Sequence, residues 1–321
     1  ISKKSKIFVA GHKGMVGSAI IKLLTKKSNN NIITKSHSAL DLTKQNQVQN
    51  FFKKNKIDQI YLAAAKVGGI YANSKFPGEF IYNNLMIETN VIHSAFLNGI
   101  KKILFLGSSC IYPKYTNGTI KEEDLLSGKL EFTNEPYAIS KIAGIKMIES
   151  YNRQYGKKYG CDYRCVMPSN LYGPGDTYNL KNSHVIPALI KKFYLAKKKR
   201  SPYVVIWGTG KPRREFLHVD DLARACIHVM NIKKKIYYNN LSPLSSHINV
   251  GSGEEITINK LAELVKYIVG YKGKIQFDRM KPDGTFSKLM NNKRIKKLGW
   301  KNEIGLENGL KQVYTEFEKN I

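Results

Sequence analysis

Residues 7–20 read Ile7-Phe8-Val9-Ala10-Gly11-His12-Lys13-Gly14-Met15-Val16-Gly17-Ser18-Ala19-Ile20. Four apolar residues run straight into glycine, and a segment of helical spacing follows. That order predicts a strand, a tight turn and the opening of a helix. Glycines at such a turn let the backbone approach a pyrophosphate. The helix that follows offers free N–H groups and the positive end of its dipole to the anion. The spacing is GxxGxxG rather than the GxGxxG of other dinucleotide turns. Gly11, His12, Lys13, Gly14, Met15, Val16 and Gly17 are therefore candidate cofactor contacts.

Outward from this turn, strand-like and helix-like segments alternate. Ile32 to Lys35 reads as a second strand, Gln45 to Lys54 as a helix and Gln59 to Ala64 as a buried strand. Phe76 to Leu97 reads as a long helix, Lys102 to Gly107 as a strand, Pro136 to Tyr155 as a helix and Tyr163 to Met167 as a strand. Alternation of this kind predicts an α/β fold, a Rossmann-type doubly wound parallel sheet covered on both faces. Beyond residue 170 the chain is richer in Pro/Gly loops, such as Tyr172-Gly173-Pro174-Gly175, and its strands are isolated. The expected division is a dinucleotide-binding domain over 1–170, with 216–240 returning to it. A smaller mixed α/β substrate-binding lobe is expected over 171–215 and 241–321.

The chain has 321 residues, 42% of them hydrophobic, so a sizeable core and two lobes are within its means. No apolar run approaches the ~20 residues of a membrane-spanning helix. Ile1 to Gly11 has the pattern of a first strand rather than an export signal, and a cytoplasmic location is expected. The four cysteines, Cys110, Cys161, Cys165 and Cys226, form no CxxC pair or zinc-like spacing. Thiols without a metal are therefore expected. The net charge of +29 comes almost entirely from lysines scattered in short runs, without a nucleic-acid motif. A solvated surface that attracts anionic small molecules is the expectation, with no nucleic-acid or membrane partner.

Two further places carry chemistry. The second strand ends Thr34-Lys35-Ser36-His37, and no carboxylate follows until Asp41. An acidic residue there would select NAD. Lys35, together with Lys13, favours the extra phosphate of NADP(H), although Lys35 also reads as one more surface lysine. Tyr137 and Lys141 form a YxxxK pair on one helix face. An ammonium beside a phenol favours the phenolate and makes the tyrosine a competent proton donor or acceptor. The strand over 103–106 runs into Gly107-Ser108-Ser109-Cys110, at the strand end that opens onto the ligand crevice in such sheets. Ser108, Tyr137 and Lys141 together suit hydride transfer to or from a carbonyl.

The glycine turn, the YxxxK helix and the serine-bearing strand end resemble the extended short-chain dehydrogenase/reductase family. Longer strings resemble its branch of GDP-keto-hexose epimerase/reductases. They are GHKGMVGSAI, YLAAAKVGGI, LFLGSSCIYPK, NEPYAISKIAGIKMIESYNRQYG, NLYGPGD, NSHVIPALI, RREFLHVDDLA and KPDGT, spread over almost the whole chain. The resemblance implies an NADPH-dependent enzyme acting on GDP-4-keto-6-deoxy-D-mannose, with epimerisation at C3 and C5 followed by reduction at C4. The C4 ketone acidifies the neighbouring C–H bonds, so one group must remove a proton and another must return one to the opposite face. The resemblance implies Cys110 as base and His184 as acid, two side chains that titrate near neutrality. Tyr137 is then the proton donor in reduction, beside Ser108 and Lys141. It also implies cofactor contacts from His37, Leu106, Gly107, Ser108, Ser109, Lys141, Pro168, Ser169, Asn170, Leu171 and His184. Lys192, Trp207, Arg214 and Asp283 are implied as substrate contacts, and a homodimer built on the two long helices as the assembly.

The chain departs from the family's pattern in two places. The segment from Tyr155 to Asp162 is longer than usual, and His37 stands where an arginine is expected for the NADP phosphate. The residues also leave open a related enzyme of the colitose or heptose type with fewer epimerisations, and a non-catalytic NADPH-binding protein. The intact Ser108, Tyr137 and Lys141 weigh against the second.

Overall fold

The computed structural model describes residues 5–27, 31–180, 183–281 and 283–321. Asn182 and Pro282, within two of the quoted motifs, and residues 1–4 of the first expected domain lie outside these.

The first part of the chain runs β1 (Ile7–Ala10), α1 (Met15–Lys26), β2 (Ile32–Ile33), α2 (Gln45–Lys54), β3 (Gln59–Leu62), α3 (Ile70–Lys75), α4 (Pro77–Leu97), β4 (Lys102–Leu106), α5 (Glu135–Tyr155) and β5 (Asp162–Pro168). There follow β6 (Asn170–Tyr172), α6 (Val185–Lys198), β7 (Tyr203–Trp207), β8 (Arg213–His218), α7 (Val219–Asn231), α8 (Lys234–Asn239), β9 (His247–Val250), β10 (Glu255–Thr257), α9 (Ile258–Val269), β11 (Lys274–Asp278), α10 (Lys293–Lys297) and α11 (Leu306–Lys319). No helix among the described residues is long and apolar enough to cross a membrane.

Six strands form a parallel sheet in the order β2-β1-β3-β4-β5-β9. One core layer packs Val48, Phe51, Val91, Ile92, Ile145 and Ile148, from α2, α4 and α5, against one face. The other face is covered from α1 and α7 by Ile20, Leu24, Leu222, Cys226 and Met230. The strand order reverses between β1 and β3, the position at which open parallel sheets hold their ligands.

Local residues explain the element ends near the site. Pro77 and Pro136 each lie in a first helical turn, where a missing N–H costs no hydrogen bond. The long helix expected from Phe76 to Leu97 is α4, which Pro77 opens, and a short helix not expected from the sequence, α3, precedes it. The second strand is shorter than expected, since only Ile32 and Ile33 pair with β1.

The smaller lobe holds a three-stranded sheet, β10-β8-β6, and the pair β11-β7. Its own core draws Ile186, Ile190 and Phe193 from α6, Leu261 and Val265 from α9, and Leu310 and Val313 from α11. Both β9 and α10 depart from the expected division. β9 falls within 241–321, yet it pairs with β5 in the main sheet, and Ile295, Leu298 and Trp300 pack in the main sheet's core. His247-Ile248-Asn249-Val250 is buried throughout with two polar residues, so its hydropathy does not announce a central strand.

Candidate active site

The glycine turn sits where β1 meets β3. Gly11 has φ +81°, and a Cβ there would lie 2.7–2.8 Å from the backbone of Ala63 and Ala64. A Cβ on Gly17 would lie 2.2 Å from the Gly11 carbonyl oxygen, so only glycine lets α1 pack this close to the strand end. Helix α1 starts after Gly14 with no side-chain cap and no acidic residue in its first turn. The first-turn N–H groups therefore have no competing side-chain acceptor, and the turn with His12, Lys13, Met15 and Val16 fits a pyrophosphate.

Lys35 and His37 are exposed just beyond β2. Asp41 is occupied locally: its Oδ1 accepts from the Thr43 N–H at 2.9 Å and from the Thr43 hydroxyl at 2.7 Å, with His37 Nε2 at 3.7 Å. Lys35 stands exposed at this edge while the Asp41 carboxylate is tied down locally, which suits a 2′-phosphate better than a bare ribose. Across the sheet, Leu106 ends β4 and Gly107 follows it, and Pro168, Ser169, Asn170 and Leu171 carry the chain from β5 into β6. Ser169 N–H donates to the Val250 carbonyl, and the Asn170 amide donates to the Glu215 carbonyl.

Beyond β4 the chain makes a short 3-10 turn over Ser109–Ile111, and Ser108 caps it by accepting from the Cys110 N–H at 3.3 Å. Ser108 also lies beside the Tyr137 phenol. Burial pushes the Tyr137 phenol well above its usual range, Cys110 and Glu88 push it further, and Ser108 draws it back. Cys110 is partly exposed, whereas Cys161, Cys165 and Cys226 are buried, and all four are free thiols. The ammonium of Lys141 lies 5.8 Å from the centre of the Tyr137 ring. Ser108, Ser109, Cys110, Tyr137 and Lys141 thus converge at the carboxyl end of β4.

His184 comes from a different element. It is exposed at the N-cap of α6, and its side chain does not cap the helix. Its charge acts on Asp176, whose carboxyl is raised by burial and pulled back by the Thr177 N–H and His184. Among the described residues no hydrogen bond or ion pair joins His184 to those five.

The four residues expected to touch substrate lie together in the smaller lobe. Trp207 ends β7 with 66% of its surface exposed, flanked by the ammonium groups of Lys192 at 5.9 Å and Lys281 at 5.4 Å. Lys192 donates to the Val205 carbonyl at 3.0 Å. Arg214 Nη1 donates to the carbonyls of Arg213 and Thr285, at 2.7 and 2.6 Å. Asp283 accepts from the N–H and hydroxyl of Thr209, at 2.8 and 2.6 Å. Those bonds hold its carboxyl below the usual range, so Asp283 is a carboxylate already anchored to the strand-end loop.

Two polar residues that motif reading passed over belong to the same cluster. Asn134 donates its amide to the Cys110 sulfur at 3.3 Å. Glu88, on α4, lies 3.0 Å from the Lys141 ammonium. Asn134 stood within a quoted string, three residues before Tyr137. Nothing local marks Glu88.

A parallel sheet with a glycine turn after its first strand, and serine, tyrosine and lysine gathered after its fourth, defines a nucleotide-dependent oxidoreductase or epimerase fold. Residues 7–251 match the NAD dependent epimerase/dehydratase family, and the chain belongs to that family. It is 53% identical to the GDP-L-fucose synthase of Escherichia coli (strain K12), over 99% of this chain and 98% of that protein. It is also similar to the crystal structure of a GDP-6-OMe-4-keto-L-xylo-heptose reductase from C. jejuni, with TM-score 0.93 and 38% identity over 100% of this chain and 99% of that one. A GDP-mannoheptose C4 reductase from Campylobacter jejuni with NADP bound has TM-score 0.89 and 38% identity, over 99% of each chain.

Proposed function

We propose that this protein is a GDP-L-fucose synthase, which epimerises GDP-4-keto-6-deoxy-D-mannose at C3 and C5 and then reduces C4. The observation that carries the reading is the clustering of Cys110 and Tyr137 around Ser108, whose oxygen accepts the Cys110 backbone N–H and which lies beside the Tyr137 phenol. One sugar ring in this crevice presents both its acidic C–H bonds and its carbonyl to the same cluster. The match with the Escherichia coli enzyme over nearly the full length of both chains supports the choice of substrate.

Cys110 removes the proton from a carbon next to the C4 ketone, and the electron pair delocalises onto the carbonyl oxygen as an enolate. His184 returns a proton to the opposite face, which inverts the centre. Cys110 then gives up its proton and His184 regains one, so no net proton is consumed at this stage. Each acid–base role of this kind contributes ~10²–10⁴-fold. In the second stage Tyr137 donates its proton to the C4 oxygen as the ketone is reduced, and Lys141 and Ser108 hold the phenol in place. NADPH, when bound, supplies the hydride. The glycine turn would hold its pyrophosphate, Lys35 and His37 its 2′-phosphate, and Lys141 its nicotinamide ribose. Lys192, Trp207 and Arg214 would receive the GDP moiety. Asp283, already anchored by Thr209, would accept from a hydroxyl or amine of the ligand.

A cytoplasmic homodimer is part of this reading. Its contact surface is assigned to α4 and α5, which leave Tyr82, Leu97 and Ile139 exposed.

Product identification tests the proposal. Purified protein incubated with the keto-sugar and NADPH should yield GDP-L-fucose by NMR. A reduced product with C3 and C5 unchanged would assign a plain reductase, as in the heptose enzymes named above.

A further inference from the structure

Glu88 has no part in the chemistry described so far, yet it is buried beside it. Its side chain is 1% exposed and that of Lys141 is 3% exposed, with the carboxylate oxygen 3.0 Å from the ammonium. The same ammonium lies 4.7 Å from the centre of the Phe105 ring, so an aromatic face from β4 walls the pair. Apart from this ion pair, neither oxygen of Glu88 finds a hydrogen-bond donor among the described residues. Gly144, one turn beyond Lys141, makes room for it. A Cβ there would lie 2.7 Å from Glu88 Oε2 and 2.6 Å from Phe105 Cζ.

A buried ion pair is a poor way to gain stability, because desolvating both charges offsets their attraction and apolar residues of similar size serve as well. A carboxylate with one partner is costlier still. Burial pushes the Glu88 carboxyl up, and Lys141 pulls it back. What the pair does achieve is local: a buried ammonium keeps its proton when a carboxylate faces it and sheds it more readily when none does.

We infer that Glu88 is a positioning residue for the Tyr137–Lys141 pair, holding the ammonium charged and aimed beside the phenol. The inference rests on the assignment of Tyr137 and Lys141 to reduction and cofactor binding. The surrounding titratable groups are few. Helix α5 presents Tyr137 and Lys141, with Cys110 next to Tyr137. Strand β5 presents Cys165, whose thiol is pushed up by burial, by Glu149 of α5 and by Glu88, with Lys146 of α5 opposing them. Strand β4 presents Phe105, and the buried residues of α2 are Val48, Phe51 and Phe52.

The test compares native protein with Glu88→Gln in two assays over a pH range. One follows the NADPH dissociation constant by nicotinamide fluorescence. The other follows reduction of the keto-sugar. In E88Q the alkaline limb of both profiles is expected to begin about one pH unit lower, with kcat for reduction down about tenfold near neutrality. Deuterium exchange at C3 and C5 should stay within about twofold of native. Glu88→Asp, which keeps the charge, should move the limb back toward native, and Glu88→Leu, which also removes the charge, takes the place of E88Q if that variant does not fold. An alkaline limb unchanged in the charge-removing variant, for NADPH affinity and for reduction, would overturn the inference. Native protein that binds NADPH but leaves the keto-sugar untouched would refute the functional reading, and the affinity profile would still decide the role of Glu88.

Discussion

The amide of Asn134 donates to the sulfur of Cys110 at 3.3 Å, so the proposed epimerisation base is held by a residue from the turn that opens the tyrosine helix. The two ends of the chemistry are thereby mechanically joined: Tyr137 lies less than one helical turn beyond the residue that orients the thiol.

Replacing Asn134 by alanine should slow epimerisation more than reduction. Loss of one hydrogen bond to a reacting group is worth about tenfold. Deuterium wash-in at C3 and C5, measured in heavy water without NADPH, reads epimerisation alone. An unaltered wash-in rate would detach Asn134 from the thiol's function.

Cys110→Ser and His184→Gln should each abolish exchange at C3 or C5 by ~10²–10⁴-fold while NADPH still binds. Tyr137→Phe should do the reverse: exchange continues, reduction falls by ~10²–10⁴-fold, and epimerised keto-sugar accumulates. NMR of the sugar ring distinguishes the two patterns. Double epimerisation surviving in both C110S and H184Q would refute the assigned pair.

Gly17→Ala tests the cofactor turn. Its Cβ would meet the Gly11 carbonyl oxygen at 2.2 Å, so α1 must move away from β1. A cost of about 1–3 kcal/mol in stability is expected, with a marked loss of NADPH affinity. Thermal unfolding and fluorescence titration measure the two, and native values for both would contradict the packing argument.

His247 gives the fold an acid-sensitive joint. Its Nε2 lies 3.0 Å from the Tyr112 hydroxyl. Burial first, then the positive charges of Arg294 and Lys146, push the imidazole down to about 3. The unfolded chain takes up this proton below about pH 6.5 while the folded protein does not. Between the two values the native state binds fewer protons, so stability is lost as pH falls through that window. At about pH 5 the contribution amounts to ~2 kcal/mol. His247→Gln should flatten the fall in unfolding free energy between about pH 7 and about pH 5, measured by chemical denaturation. A slope identical to native would show that other groups set the acid limit.

Much of this molecule is written locally. The strand, turn and helix of 7–20, the shared face of Tyr137 and Lys141, and the serine and cysteine after β4 each depend on neighbours within a few residues. Backbone conformation and side-chain periodicity are short-range properties, so a single chain segment specifies them. Membership of the parallel-sheet class follows from the alternation of such segments.

Other features required the chain to be folded. The pairing of β9 with β5, the Asn134 amide on the Cys110 sulfur and the Glu88 carboxylate opposite Lys141 join residues far apart in sequence. No periodicity marks them, because a buried polar group takes whichever partner the packing of distant elements brings within reach. The sequence by itself determined which reactive groups the protein carries and on which kinds of element they stand. Tertiary structure alone decided which charge faces which, since burial and distance set the strength of every such interaction.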